Sequence, residues 1–97
     1  MMALYLRRPP DVVWRQIDEY GVLLNVTTGD YCEVNELGLF VWRQLDDELS
    51  LDEIARRVAA AFESAPADVA SDVEEFARGL EKRRMLVISE RSPGADR

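Results

Sequence analysis

The chain has 97 residues, with 12 Lys and Arg against 19 Asp and Glu, a net charge of −7, no histidine and one cysteine. That length suits one small domain, and 47% apolar residues suffice for a single core. The lack of histidine removes His-based acid–base pairs, His–Cys dyads and His zinc ligands, and a lone Cys32 removes an internal disulfide and any CxxC metal or redox site. The acidic balance has the wrong sign for nucleic acid, where neutralising phosphate supplies most of the affinity. The longest apolar run, Leu37 to Trp42 interrupted by Gly38, falls far short of the roughly 20 residues that span a bilayer. At the N-terminus, Arg7 and Arg8 follow the apolar stretch, the reverse of a signal peptide. The expectation is a soluble cytoplasmic protein with no membrane partner.

In chain order, Leu4-Tyr5-Leu6 reads as a further strand or an arm, set apart by Pro9-Pro10. Val12 to Ile17 is rich in strand formers, and Asp18-Glu19-Tyr20-Gly21 reads as a turn with Gly21 supplying positive φ. Val22 to Val26 is a second strand, Thr27-Thr28-Gly29-Asp30 a hairpin loop, and Tyr31 to Val34 a short return strand. Asn35 is a good N-cap for a first helix with Leu37, Val41 and Leu45 on one face. Ser50 and Glu53 form a capping box for a second helix with Ile54, Val58 and Phe62 on one face. Pro66 suits the first turn of a third, in which Val69, Val73, Phe76 and Leu80 continue the apolar spacing to about Arg83. Met85 to Ile88 is a short apolar return, and the residues from Ser89 read as a frayed tail.

The fold class expected is α+β, winged helix-turn-helix-like, with a three-stranded antiparallel sheet followed by three helices around one core. The domain reading is an N-terminal arm over 1–11, a folded domain over 12–88 and a flexible tail over 89–97.

Two features carry functional interest. The strand Tyr31 to Val34 lies at a sheet edge and has neither Lys nor Pro to blunt it. Either another element covers that edge, or it is a docking edge for an extended peptide. Alternation sends Cys32 and Val34 one way and Tyr31 and Glu33 the other; Val34 leads into a buried helix, so Cys32 reads as a small core residue. The third helix opens with Asp68, Asp72, Glu74 and Glu75 and ends with Lys82, Arg83 and Arg84, matching its dipole. Four carboxylates at its start would face phosphates in a helix-turn-helix DNA reader, which argues against DNA. Gly79 and Gly38 serve either close packing or a groove needing room, and Trp14, Trp42, Phe62 and Phe76 read as core, with Phe76 and Leu80 at the mouth of a strand–helix groove. The Asp46-Asp47-Glu48 cluster lacks the spacing of a calcium loop, and Ser50 has no base to activate it; no metal, cofactor or catalytic residue is expected.

The run from Val22 to Trp42 resembles the PqqD-like family, whose usual pattern is a strand, a Gly turn, an aromatic and then Leu-Asn-x-x-Gly-x-x-Ile-Trp. Asn35, Gly38 and Trp42 match, while Val34 and Val41 depart conservatively. The capped second helix, Pro66 to Leu80 and Met85-Leu86-Val87 also fit, so that the resemblance covers about Val12 to Ile88. It implies a RiPP recognition element that binds the leader of a ribosomally made precursor peptide as an added strand. On these positions, the backbone of Asp30, Tyr31, Cys32, Glu33 and Val34 pairs with the leader, and Val69, Asp72, Val73, Phe76 and Leu80 line the groove. The pattern Leu-Leu-x-x-x-Thr-Gly-x-Tyr is most similar to discrete leader-binding proteins of lasso-peptide pathways. The implied partners there are the leader, often with a Tyr-x-x-Pro-x-Leu pattern, a leader peptidase and a macrolactam-forming cyclase. The alternatives are a PqqD-type peptide chaperone for a radical SAM enzyme and a winged-helix regulatory module.

Overall fold

The computed structural model of the chain describes residues 3–46, 48–63 and 66–91. These form, in order, β1 (Ala3–Arg7), β2 (Val12–Ile17), β3 (Tyr20–Asn25), β4 (Tyr31–Val34), α1 (Glu36–Arg43), β5 (Leu49–Ser50), α2 (Leu51–Phe62), α3 (Pro66–Lys82) and β6 (Val87–Arg91). The fold is α+β with antiparallel sheets and three helices.

The meander read from the sequence is the sheet β2-β3-β4, with β4 at its edge. The β2–β3 connection is the two-residue loop Asp18-Glu19, closed by the pair Ile17 and Tyr20. Positive φ falls on Asp18 (54°), not on Gly21 as expected. Gly21 sits inside β3 opposite Val34, where a Cβ would come within 2.9 Å of Leu39 Cδ1. It is a packing glycine. At the β3–β4 turn, Gly29 takes φ +79°, its N–H donates to Asn25 O at 2.8 Å, and Asn25 N–H donates to Asp30 O at 2.9 Å. Two residues thus oppose one, a bulge whose first residue is a left-handed glycine. Asn25 is a buried polar residue, and its Oδ1 accepts from Thr27 N at 2.9 Å and Thr28 N at 3.0 Å.

A second three-stranded sheet, β5-β1-β6, corrects the expectation of one sheet. Leu6 pairs with Leu49 on one side and Ile88 on the other and is almost wholly buried. The arm expected over 1–11 therefore contains the central strand of a sheet. Ser89 and Glu90, expected within a frayed tail, pair instead with Tyr5 and Leu4 of β1; residues 92–97 lie outside the described part. The prolines at 9 and 10 end β1 without detaching it, since its ladder bonds run to partners far along the chain.

Both N-caps hold as expected, but the Glu53 carboxylate turns to two arginines and not back to Ser50, so only one half of the expected capping box is made. Asn35 Oδ1 accepts from Gly38 N–H at 2.8 Å, and Ser50 Oγ from Glu53 N–H at 3.1 Å. The Glu53 carboxylate engages Arg56 and Arg57, and those two hydrogen bonds hold its carboxyl below the ordinary value. The inner faces of the sheets and helices meet in a core that includes Leu6, Leu23, Leu39, Trp42, Ile54 and Met85. Trp42 is core as expected, but Trp14 and Phe62 stay on the surface. Trp14 stacks under the Arg8 guanidinium at 5.3 Å, and Phe62 meets Phe40 edge to face at 5.5 Å. A partner of this kind lets a large ring remain half-exposed. No helix among the described residues is long and apolar enough to cross a membrane.

A candidate binding groove between β4 and α3

The open side of β4 follows from its pairing. Asn25 bonds to Asp30, so by the alternation of an antiparallel ladder Leu23 with Cys32 and Gly21 with Val34 are the hydrogen-bonded pairs. The N–H and C=O groups of Tyr31 and Glu33 then point away from β3, and among the described residues no strand lies beyond β4 in its sheet. Side chains follow the expected alternation: Cys32 and Val34 are buried, while Tyr31 (67% exposed) and Glu33 face out. Burial pushes the Cys32 thiol up, which suits a small core residue and not a nucleophile.

Helix α3 faces that edge with one stripe and the core with another. Val69, Val73, Ala77 and Leu80 are buried. Asp72, Phe76, Gly79 and Arg83, spaced by four, three and four, form the adjoining stripe. Between α3 and β4 lies an open groove of about 540 Å³ bordered by Cys32, Glu33, Val34, Phe76, Gly79 and Arg83. Next to it, a smaller pocket of about 160 Å³ is lined by Leu37, Gly38, Val41, Asp72, Val73 and Phe76. Phe76 and Asn35 belong to both. The Phe76 ring rests where Gly38 lacks a side chain, since a Cβ there would stand 2.9 Å from Phe76 Cε1.

The structure thus gathers Cys32, Glu33, Val34, Phe76 and Leu80 around the groove, and puts Asp72 and Val73 on the adjoining pocket. Val69 is in the core, lining neither. Asp30 and Tyr31 stand at one end, where Arg83 binds them both. Its Nε and Nη2 each donate to the Asp30 carboxylate at 2.8 Å, and Nη2 donates to Tyr31 O at 2.6 Å. The guanidinium hydrogen bond is the main cause that holds the Asp30 carboxyl below its ordinary value. From below, Asn25 Nδ2 donates to Arg84 O at 2.7 Å and ties the hairpin to the end of α3. Together, these contacts fix the helix against the strand.

Gly79, weighed from the sequence as either a packing residue or a groove wall, borders the groove, whereas Arg83 and Asn25 were not singled out as groove residues. The signal for Arg83 was present, because the spacing of Asp72 and Phe76 continues through 79 and 83. The role of Asn25 depends on a contact with a residue distant in the chain, which no local pattern encodes. Among the described residues, no group of three or more Cys, Asp or Glu could hold a metal ion.

The family described as Coenzyme PQQ synthesis protein D (PqqD) matches residues 20–86. The PqqA binding protein of Xanthomonas oryzae pv. oryzae (strain PXO99A) is 37% identical over 54 residues, 56% of this chain and 59% of the relative. That of Rhizobium meliloti (strain 1021) is 36% identical over 55 residues, 57% of this chain and 56% of the relative. The match spans less than two thirds of the length of either relative. Among solved structures, TbiB1 in complex with the TbiA(beta) leader peptide has a TM-score of 0.76 at 28% identity, over 82% of this chain and 93% of that one. Lasso peptide synthetase B1 complexed with the leader peptide has a TM-score of 0.71 at 26% identity, over 84% and 96%. The PqqD truncation of Methylobacterium extorquens PqqCD shares the fold, with a TM-score of 0.72 at 21% identity over 86% and 88%. With most of its length matched by one family and its fold shared with solved relatives, the chain belongs to the PqqD family.

Proposed function

We propose that the chain is a non-catalytic RiPP recognition element that binds the leader of a ribosomally made precursor peptide as an added strand on β4. The observation that carries this reading is an open strand edge lying directly beside a groove that Cys32, Val34, Phe76 and Leu80 line with apolar surface. Main-chain bonds to the Tyr31 N–H and to the N–H and C=O of Glu33 supply affinity, and leader side chains that reach Phe76 and Leu80 supply specificity. Asp30, Cys32 and Val34 hold the strand in place, Asp72 stands at the rim, and Val69 and Val73 back the helix from the core. By holding the precursor near a leader peptidase and a macrolactam-forming cyclase, the domain raises its local concentration at those enzymes. Support comes from TbiB1 and lasso peptide synthetase B1, both solved with leader peptides.

The PqqA binding relatives favour a second reading, in which the peptide is of the PqqA type and is presented to a radical SAM enzyme. The peptide discriminates the two. An NMR titration with a synthetic leader carrying Tyr-x-x-Pro-x-Leu is expected to give saturable shifts in β4 and along the groove stripe of α3, and a PqqA-type peptide much smaller ones. The reverse order selects the second reading. Phe76→Asp is expected to weaken leader binding by more than about tenfold, because it puts a charge into the groove, while the amide spectrum stays dispersed. Leader binding of unchanged strength by a folded Phe76→Asp chain contradicts the proposed site.

A further inference from the structure

Gly79 lies inside α3, where glycine is disfavoured relative to alanine. Gly38 shows what a packing glycine looks like in this fold: an added Cβ would meet the Phe76 ring at 2.9 Å and Val34 Cβ at 3.0 Å. Around a Cβ added at Gly79, no such atom lies within 4 Å. Its φ is not in the left-handed region either. Nothing within the fold therefore requires glycine at this position. Yet it sits in the middle of the stripe that faces β4, one turn from Phe76 and one turn from Arg83, on the border of the groove that Leu80 and Cys32 also line.

We infer that Gly79 is a clearance for the bound peptide: it opens a notch between Phe76 and Arg83 that seats one large apolar side chain of the added strand. This rests on the leader-binding reading. In a strand paired to Tyr31 and Glu33, the residue opposite Cys32 points inward, as Cys32 does, and so towards α3. The notch is apolar along Cys32, Phe76 and Leu80. Its one cation, Arg83, is already engaged by Asp30, and Glu75 stands on its rim, so a carboxylate finds no partner there. Gly79 thereby sets the upper size of the side chain that the helix admits.

Stability and binding respond in opposite directions to substitution at this position. Gly79→Ala is expected to raise Tm by about 4–8 °C through helix propensity. With the synthetic Tyr-x-x-Pro-x-Leu leader, affinity is expected to fall modestly in Gly79→Ala and by about tenfold or more in Gly79→Leu. Shortening each apolar leader residue to Ala in turn is expected to restore binding to Gly79→Leu for one position only, the seated one. If wild type and Gly79→Leu bind the leader equally, the clearance is overturned and the leader-binding reading stands. A lower Tm in Gly79→Ala also overturns it, because the glycine is then a packing residue. If wild type binds no leader, both fall together.

Discussion

Arg84 holds a left-handed backbone at φ 60°, two residues beyond the end of α3. Its N–H reaches Glu81 O at 3.0 Å and Met85 N–H reaches Leu80 O at 2.9 Å, the paired bonds of a Schellman cap with Leu80 and Met85 both buried. A side chain on a left-handed residue costs about 1 kcal/mol, so Arg84→Gly is expected to stabilise the fold by that order in urea denaturation. The tie from Asn25 goes to the carbonyl of Arg84 and survives the change. A destabilised variant would mean that the arginine side chain makes a contribution larger than the strain. Residue-level legibility divides along the same line. The inward turn of Cys32 and Val34 was readable because strand alternation is a local rule. That Asp18 and Arg84 take positive φ was not, because tertiary pairing forces the conformation on residues that do not prefer it. Gly79 was half readable: its cost was visible in the sequence, but the empty space beside it was not.

Among the elements, β4 and α3 matter as a pair, held at one end by the Arg83 guanidinium across Asp30 and Tyr31. Because that contact lowers the folded Asp30 carboxyl below its unfolded value, its contribution is complete above the ordinary carboxylate range and is lost as pH falls through the lower, folded value. Both groups are partly exposed, so salt and solvent screen the pair. An NMR titration of the Asp30 carboxyl is expected to give a midpoint that rises in Arg83→Ala; equal midpoints would mean that Arg83 does not hold it. Caps at Asn35 and Ser50, the apolar stripe of α3 and the β2–β4 meander were legible because each is written in consecutive residues. The sheet β5-β1-β6 was not. Its strands come from the two ends of the described chain and a two-residue segment between helices, and only long-range pairing identifies them.

At the scale of the whole molecule, two sheets divide the work. The sheet β5-β1-β6 gathers distant parts of the chain and leaves the other sheet free to keep β4 unpaired. An unpaired edge invites self-association, and the net charge of −7 with Glu33 exposed on β4 opposes pairing with a second copy. In the proposed function, the ligand that this open edge accepts is a peptide strand. The direct test is amide hydrogen exchange with and without the synthetic leader. The Tyr31 carbonyl is engaged by Arg83, so the Glu33 N–H is the outward group that reports an added strand most cleanly. The Glu33 amide is expected to exchange fast in the free chain and to slow by about tenfold or more when the leader binds, while Cys32, already bonded to β3, changes little. Saturable leader binding that leaves Glu33 exchange unchanged would contradict strand addition on β4.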